Sequence, residues 1–395
     1  MNTTPHSNRL HIAFFGRRNS GKSSLINAIT GQDISVVSTI AGTTTDTVVR
    51  AMEIAPLGAC LLIDTPGFDD HGELGELRVE KTLKAVERTD VALLVCEDGD
   101  LELEATWCES LRKEKIAIVT IINKSDTRGD TSDLQQRIFS KLGIRPIVVS
   151  ARQGVNIDEL RDAILSVIPA EIDQQTILGD LVTRGDVVLL VMPQDIQAPK
   201  GRLILPQVQT LRELLDRGCI VMSCATEQIE ESLKSLISPP KLIITDSQVF
   251  NKVYELKPQE SLLTSFSILM AGYKGDIGSF VEGAAAIDSL TPSSRVLIAE
   301  ACTHAPLTED IGRVKLPRML RQRAGQELAI DIVAGREFPE DLSAYDLIIH
   351  CGGCMFNRKY ILSRISQSQK QNVPITNYGV AIAHIGGILD KVVIG

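Results

Sequence analysis

No stretch of about 18 uncharged apolar residues occurs in this sequence, so a membrane-crossing helix is not expected. Residues 1 to 11 lack the apolar core of a secretory signal. A basic excess is missing too: 41 Lys and Arg stand against 50 Asp and Glu, a net charge of −9. A general nucleic-acid binder needs a basic face, and none is expected here. Nor is there a disulfide framework. Of the eight cysteines, Cys60, Cys96, Cys108, Cys219 and Cys224 lie in or beside apolar runs and read as small buried hydrophobes. That usage points to a reducing compartment, the cytoplasm. Internal repeats and low-complexity segments are absent as well. What is present is ordinary globular material, 44% hydrophobic and 23% charged. At 395 residues it is too long for a single core, so two to three domains are expected.

Residues 9 to 168 alternate strand-like and helix-like segments, the pattern of a doubly wound, mostly parallel sheet. Strands are expected at 10–15, 47–54, 60–63, 91–96, 116–122 and 146–149, and helices at 22–30, 73–88, 102–112, 133–142 and 157–167. A small α/β unit follows from about residue 179 to 253, with strands at 186–192, 218–223 and 241–245. No catalytic constellation is found there; Asp195, Lys200 and Asp246 read as solvated or capping residues. From about residue 262 onward, apolar runs at 295–300, 327–333, 345–350 and 373–377 predict a third parallel sheet. The small middle layer without chemistry suits docking or dimerisation.

The residues that carry chemistry fall in two places. Gly16-Arg-Arg-Asn-Ser-Gly21-Lys22-Ser23 follows an apolar strand and opens a helix, the context of a phosphate-binding loop. There the backbone N–H groups of Gly16, Asn19, Ser20, Gly21 and the helix start, including Ser24, cradle phosphates. Lys22 neutralises β/γ oxygens and Ser23 ligates Mg²⁺. Asp64-Thr-Pro-Gly67 follows another strand and supplies an outer-sphere Asp for Mg²⁺ and a Gly N–H for the γ-phosphate. Thr43 and Thr44 fit a switch whose threonine closes on Mg²⁺ and γ-phosphate. In Asn123-Lys124-Ser-Asp126, the Asp126 carboxylate can accept two hydrogen bonds from guanine, which adenine cannot offer, while Asn123 braces the loop and Ser150-Ala151 completes the base site. Four ordered motifs at this spacing read as a GTP/GDP site.

Three details qualify it. Phe68 stands where many such sequences carry a glutamine after the Asp-Thr-Pro-Gly motif. Arg17 and Arg18 read as loop arginines pointing to solvent, and Glu73 and Glu76 as either water-positioning acids or ordinary helix-start acids.

The second place holds Cys302-x-His304 and His350-Cys351-x-x-Cys354, each just past an expected strand end, where open α/β sheets bind ligands. A helix expected at 355–368 would put Cys351 and Cys354 at its N-terminus. Three cysteines with histidines beside them suit a metal. The residues alone do not separate Cys3His zinc from a [4Fe–4S] cluster with one exchangeable ligand. His350 is open between ligand and outer-sphere support, Glu309 and Asp310 are possible oxygen ligands, and His384 reads as a core histidine.

Residues 8 to 168 resemble the GTPases of the TrmE–Era type, on the four motifs just quoted. The resemblance implies that Asn19 ligates K⁺, which supplies charge to hydrolysis in place of an arginine finger, with Lys22, Asn19, Thr44 and Gly67 as the catalytic set. The same GTPase joined to C-x-H…H-C-x-x-C resembles the [FeFe]-hydrogenase maturation GTPases, the HydF family, over the whole chain. That implies an α/β protein of three domains: a P-loop GTPase domain at 8–170, a small α/β dimerisation domain at 178–262, and an iron–sulfur cluster domain with a Rossmann-like parallel sheet at 270–395. It also implies a [4Fe–4S] cluster on Cys302, Cys351 and Cys354, the fourth position open to His304, His350, Glu309 or water.

Implied partners are a second copy of the chain, radical-SAM maturases that supply a transient diiron precursor, and the apo [FeFe]-hydrogenase that receives it. No nucleic acid and no membrane are expected as partners. The competing reading is an RNA- or ribosome-associated GTPase with a structural zinc site, which the acidic balance disfavours.

Overall fold

The computed structural model describes residues 5–31, 48–69, 82–168, 176–193, 203–300, 311–335 and 337–394. Thr43, Thr44, Glu73, Glu76, Asp195, Lys200, Cys302, His304, Glu309 and Asp310 lie outside them, as does most of the helix expected at 73–88. The chain divides into two compact units, residues 1–174 and 175–395.

The first unit holds a six-stranded sheet in the order β2-β3-β1-β4-β5-β6. Its strands are β1 (Leu10–Gly16), β2 (Val48–Ile54), β3 (Gly58–Asp64), β4 (Val91–Cys96), β5 (Ala117–Ile122) and β6 (Ile147–Val148). All neighbours run parallel except β2, which is antiparallel to β3. Every residue of β1 and β4 is buried, which is why both read as continuous apolar runs: helices cover both faces. Ile12 and Phe14 point to one core, with Leu25, Ile29 and Leu160 from the helices Lys22–Thr30 and Ile157–Val167. Ala13 and Phe15 point to the other, with Trp107, Leu111 and Ile138 from the helices Glu102–Lys113 and Ser132–Leu142.

The second unit contains two four-stranded, all-parallel sheets. One has the order β10-β9-β7-β8, from β7 (Val187–Val191), β8 (Ile220–Cys224), β9 (Leu242–Thr245) and β10 (Leu262–Ser265). The other has the order β12-β11-β13-β14, from β11 (Arg295–Glu300), β12 (Ala329–Ala334), β13 (Leu347–His350) and β14 (Ile375–Asn377). β10 was not expected. It is only four residues long and passes straight into the helix Phe266–Lys274, whose first turn is capped by Ser265 accepting from Ile268 N.

One apolar core runs through both sheets, from Leu189, Ile243 and Leu263 to Val296, Ile298 and Ile348. The Arg358 guanidinium adds a polar tie, its Nη1 donating to the carbonyls of Gly272, Tyr273 and Gly275 at 3.0, 3.1 and 2.6 Å.

Three local expectations need correction. The helix after Cys354 runs Arg358–Lys370, because Asn357 caps it by accepting from Tyr360 N; the Cys351–Cys354 segment is therefore a turn ahead of the helix, not its N-terminus. His384 is not a core residue: it is partly exposed and lies 3.0 Å from Asp288 Oδ1, which also accepts from Arg323. Cys224 is only half-buried, whereas Cys60, Cys96, Cys108 and Cys219 are buried as expected. Burial pushes the Cys60 thiol up to about 12, so it stays protonated and unreactive.

Candidate functional site

In the first unit the site forms at the carboxyl ends of β1, β3 and β5, where Gly16, Asp64 and Asn123 emerge. Gly21 must be glycine: its φ is +92°, and a Cβ there would collide with Asn123 Nδ2. That side chain is buried and ties the loops together. Its Nδ2 donates to the Ser20 and Gly21 carbonyls (3.3 and 3.4 Å), and its Oδ1 accepts from Lys124 N and Ala151 N (2.8 and 3.1 Å). Lys22 is buried, with Nζ donating to the carbonyls of Gly16 and Arg17 at 2.9 and 2.8 Å. Ser20 is buried, and its Oγ has no hydrogen-bond partner among the described residues, an orphan facing the loop a phosphate would enter. Ser24 is exposed in the first helical turn, and Asn19 is exposed with φ +60°. Lys124 Nζ donates to the Asn19 carbonyl (2.5 Å) and to Glu97 (3.1 Å).

Ser23 Oγ donates to Asp64 Oδ2 at 2.6 Å. Burial raises the Asp64 carboxyl above its ordinary range, against the opposing pull of that hydrogen bond and the Lys22 charge. A hydroxyl braced by a buried carboxylate is a hard oxygen donor set of the kind Mg²⁺ prefers. Gly67 approaches the phosphate loop so closely that a Cβ would lie 2.7 Å from Arg18 N. The same Arg18 N donates to Asp69 Oδ1 at 2.7 Å. Phe68 is buried and stacks on Trp107 (centroids 5.7 Å apart), so the side chain directly after Gly67 packs into the core. At the base end, Ser150 Oγ donates to Asp126 Oδ1 at 2.7 Å and accepts from Gln153 N at 3.1 Å.

Arg17 does not point to solvent. Its guanidinium forks onto Glu104, Nε to Oε1 at 2.7 Å and Nη2 to Oε2 at 2.9 Å, with Asp100 adding a 3.0 Å contact. Glu104 is fully buried on the helix Glu102–Lys113, so Arg17 anchors the phosphate loop to that helix and is not available to reach a nucleotide. Sequence reading had no signal for this pair, 87 residues apart. Removing one member of a buried bidentate pair should be costly, whereas an exposed contact should not be. Glu104→Ala should therefore lower the stability of the first unit by about 2–3 kcal/mol. Asp100→Asn should change it by less than about 0.5 kcal/mol. Urea unfolding followed by fluorescence of Trp107, the single tryptophan, measures both; equal effects would refute the anchor.

In the second unit, β11 and β13 are parallel neighbours, with Ala299 beside His350. Cys351 and Cys354 follow β13 and are half-buried, and Gly353 N donates to Cys351 Sγ at 3.4 Å. Cys302 lies two residues beyond the end of β11 in sequence and, with His304, outside the described residues. Among the described residues no three His, Cys, Asp or Glu side chains are grouped closely enough to hold a metal ion.

His350 is fully buried and both its ring nitrogens are engaged: Nδ1 with the Cys351 carbonyl at 2.7 Å and Nε2 with Arg364 Nη1 at 2.8 Å. A guanidinium only donates, so Nε2 accepts and Nδ1–H donates. Burial, followed by the Arg364 charge, depresses the ring's pKa to about 3, which keeps it neutral. His350 thus has no lone pair left for a metal and supports the Cys351 peptide instead.

Strand–loop–helix phosphate cradle, Ser–Asp pair and braced base loop define a P-loop GTPase domain of the TrmE/Era/Der type, and residues 11–124 match the family model described as 50S ribosome-binding GTPase. "GTPase Der" of Wolinella succinogenes is 34% identical over 43% of this chain and 39% of its own length. "tRNA modification GTPase MnmE" of Laribacter hongkongensis is 35% identical over 40% of this chain and 35% of its own. The chain therefore spans little more than a third of the length of these relatives. The solved structure of Aquifex aeolicus Era covers 57% of this chain and 97% of that chain at 21% identity, with a TM-score of 0.36.

Beyond the GTPase domain, residues 177–275 match the hydrogen maturase F dimerization domain and residues 278–394 the hydrogen maturase F tetramerization domain. With both of these domains following its GTPase domain, the chain belongs to the hydrogen maturase F (HydF) family.

Proposed function

We propose that this chain is a K⁺-stimulated GTPase that carries a [4Fe–4S] cluster and delivers a diiron precursor to an apo [FeFe]-hydrogenase. The observation that carries this reading is the joining of a braced guanine-type nucleotide site to a pair of half-buried cysteines at a parallel-sheet edge, in a chain of the hydrogen maturase F family. The matched dimerization and tetramerization domains support self-association. Among the described residues no helix is long and apolar enough to cross a membrane.

In the nucleotide site, Lys22 would exchange its two loop carbonyls for β/γ-phosphate oxygens, and the Ser20 hydroxyl and the N–H groups of Gly21 to Ser24 would complete the cradle. Ser23 would bind Mg²⁺, its proton held by Asp64, with Thr43 or Thr44 closing from the switch. Asn19 carries an exposed side-chain oxygen at the lip of the loop, a hard donor that suits K⁺; the ion supplies positive charge to the phosphates in hydrolysis. Gly67 N–H would meet the γ-phosphate, and Asp126, held by Ser150, would select guanine.

The cysteine pair fits a soft-metal group: two half-buried sulfurs, one of them receiving an N–H, beside the strand that leads to Cys302. Cys302, Cys351 and Cys354 would hold the cluster, and three thiolates would leave one iron for an exchangeable ligand. The engagement of both His350 ring nitrogens argues against it as a ligand and supports His304, Glu309 or water in the fourth position.

Anaerobic reconstitution tests the reading. About four irons per chain and a reduced-state EPR signal are expected, both lost in the Cys302→Ser, Cys351→Ser and Cys354→Ser variants while GTP hydrolysis survives. Zinc without iron in the anaerobically purified protein would sink the cluster and favour the RNA-associated reading.

A further inference from the structure

At the centre of the helix Arg358–Lys370, Arg364 is only 2% exposed, yet no carboxylate pairs with it among the described residues. Its Nη1 meets His350, its Nη2 donates to the Gly335 carbonyl (2.7 Å) and Tyr360 OH (3.2 Å), and its Nε is buried without a partner among the described residues. Three rings surround the guanidinium: Phe338, Phe356 and Tyr360, with centroids 4.7, 4.9 and 4.6 Å from Cζ. The last two rings are locked edge to face at 4.5 Å.

Burying an arginine without a counter-ion is expensive, and stability alone would be served by a carboxylate or an apolar side chain. The cage does something different. Ring quadrupoles and a carbonyl dipole hold the cation without cancelling its net charge, as a carboxylate would. Next to it the imidazole Nε2 accepts from the guanidinium, which can only donate, so the positive charge of the pair sits on Arg364. The chain Arg364–His350–Cys351 carbonyl then places this charge immediately behind the turn that carries both cysteines. Asn377 Nδ2, donating to the same Cys351 carbonyl at 3.3 Å, holds that peptide from the other side.

We propose that Arg364 is the positioning and field residue of the cysteine site: through His350 it fixes the Cys351 peptide, and its uncancelled charge favours a more negative state of an anionic metal–thiolate group held by Cys351 and Cys354. This rests on the cluster reading above. Positive charge near such a group makes it easier to reduce, so the residue would poise the cluster's potential.

Two variants test the field separately from the packing. Arg364→Met fills the cage with an apolar side chain of similar length and removes the charge. Phe338→Glu keeps Arg364 and its bond to His350 but lays a carboxylate over the guanidinium; Phe338→Leu is its control. After iron and sulfide reconstitution of the full chain, redox titration followed by EPR gives each midpoint. In both charge-cancelling variants the reduced-to-oxidised ratio at the wild-type midpoint should drop about tenfold, equivalent to about 59 mV for a one-electron couple. Phe338→Leu should stay within about twofold of wild type. If Arg364→Met does not fold, Phe338→Glu decides alone. Loaded variants with wild-type midpoints overturn the field role and leave the cluster reading standing. A wild-type chain that takes up no iron overturns the cluster reading and this role with it.

Discussion

In the Asp126→Asn protein, GTP turnover should fall about a thousandfold and xanthosine triphosphate should become the better substrate. The physical reason lies in what the two side chains offer. A carboxylate presents two acceptors to the guanine N1–H and amino group; an amide presents one acceptor and one donor, which suits the 2-oxo group of xanthine. The geometry favours a clean swap. Ser150 Oγ, itself held by Gln153 N, already occupies one lone pair of Asp126 Oδ1 at 2.7 Å, which orients the carboxylate and leaves Oδ2 and the second lone pair of Oδ1 to meet the base. The hydroxyl can rotate to serve either a carboxylate or an amide oxygen, which should preserve the loop. Steady-state kcat/KM for both nucleotides measures it. A parallel loss for both, with unchanged Trp107 fluorescence, would mean that Asp126 does not read the base.

The parts of this site that were legible in sequence are those confined to short contiguous runs. Gly16 to Ser23, Asp64 to Gly67 and Asn123 to Asp126 each follow a buried strand whose apolar run marks where the loop begins. For the same reason most strands fell within a residue or two of their expected limits. What was not legible is assembled from distant positions. Arg17 looks like a solvent-facing loop residue until the helix that bears Glu104 is packed beside it. The Arg364 cage draws Phe338 from one loop, Phe356 from the turn after Cys354 and Tyr360 from the helix, and no local pattern ties them.

The cysteine turn fails differently. Helix propensity after Cys354 is adequate, but the Asn357 cap wins and starts the helix four residues on from Cys351-x-x-Cys354. His350 could not be sorted between ligand and support from sequence, because the deciding partner, Arg364, lies on another element.

Replacing K⁺ by Na⁺ should lower GTP hydrolysis about a hundredfold, and Asn19→Ala should erase the difference between the two salts. Transition-state charge on the phosphates needs compensation, and among the described residues Phe68, Arg17 and Lys124 do not add to what Lys22 supplies. Phe68 is buried against Trp107 in the position where a water-orienting glutamine often stands. Arg17 is committed to Glu104 and Asp100, and Lys124 to the Asn19 carbonyl and Glu97. Asn19 remains as an exposed oxygen donor on the phosphate loop, its backbone held at φ +60° with the Lys124 ammonium on its carbonyl. That hold fixes where the side chain starts, so an ion bound there would be placed and not merely attracted. Potassium suits such a donor better than sodium, because a larger, weakly hydrated ion surrenders its water more readily to a few oxygens. Turnover in matched K⁺ and Na⁺ salts at constant ionic strength, for wild type and Asn19→Ala, is the measurement. Equal wild-type rates would refute cation assistance, and an Asn19→Ala protein that keeps the full K⁺ response would place the ion elsewhere.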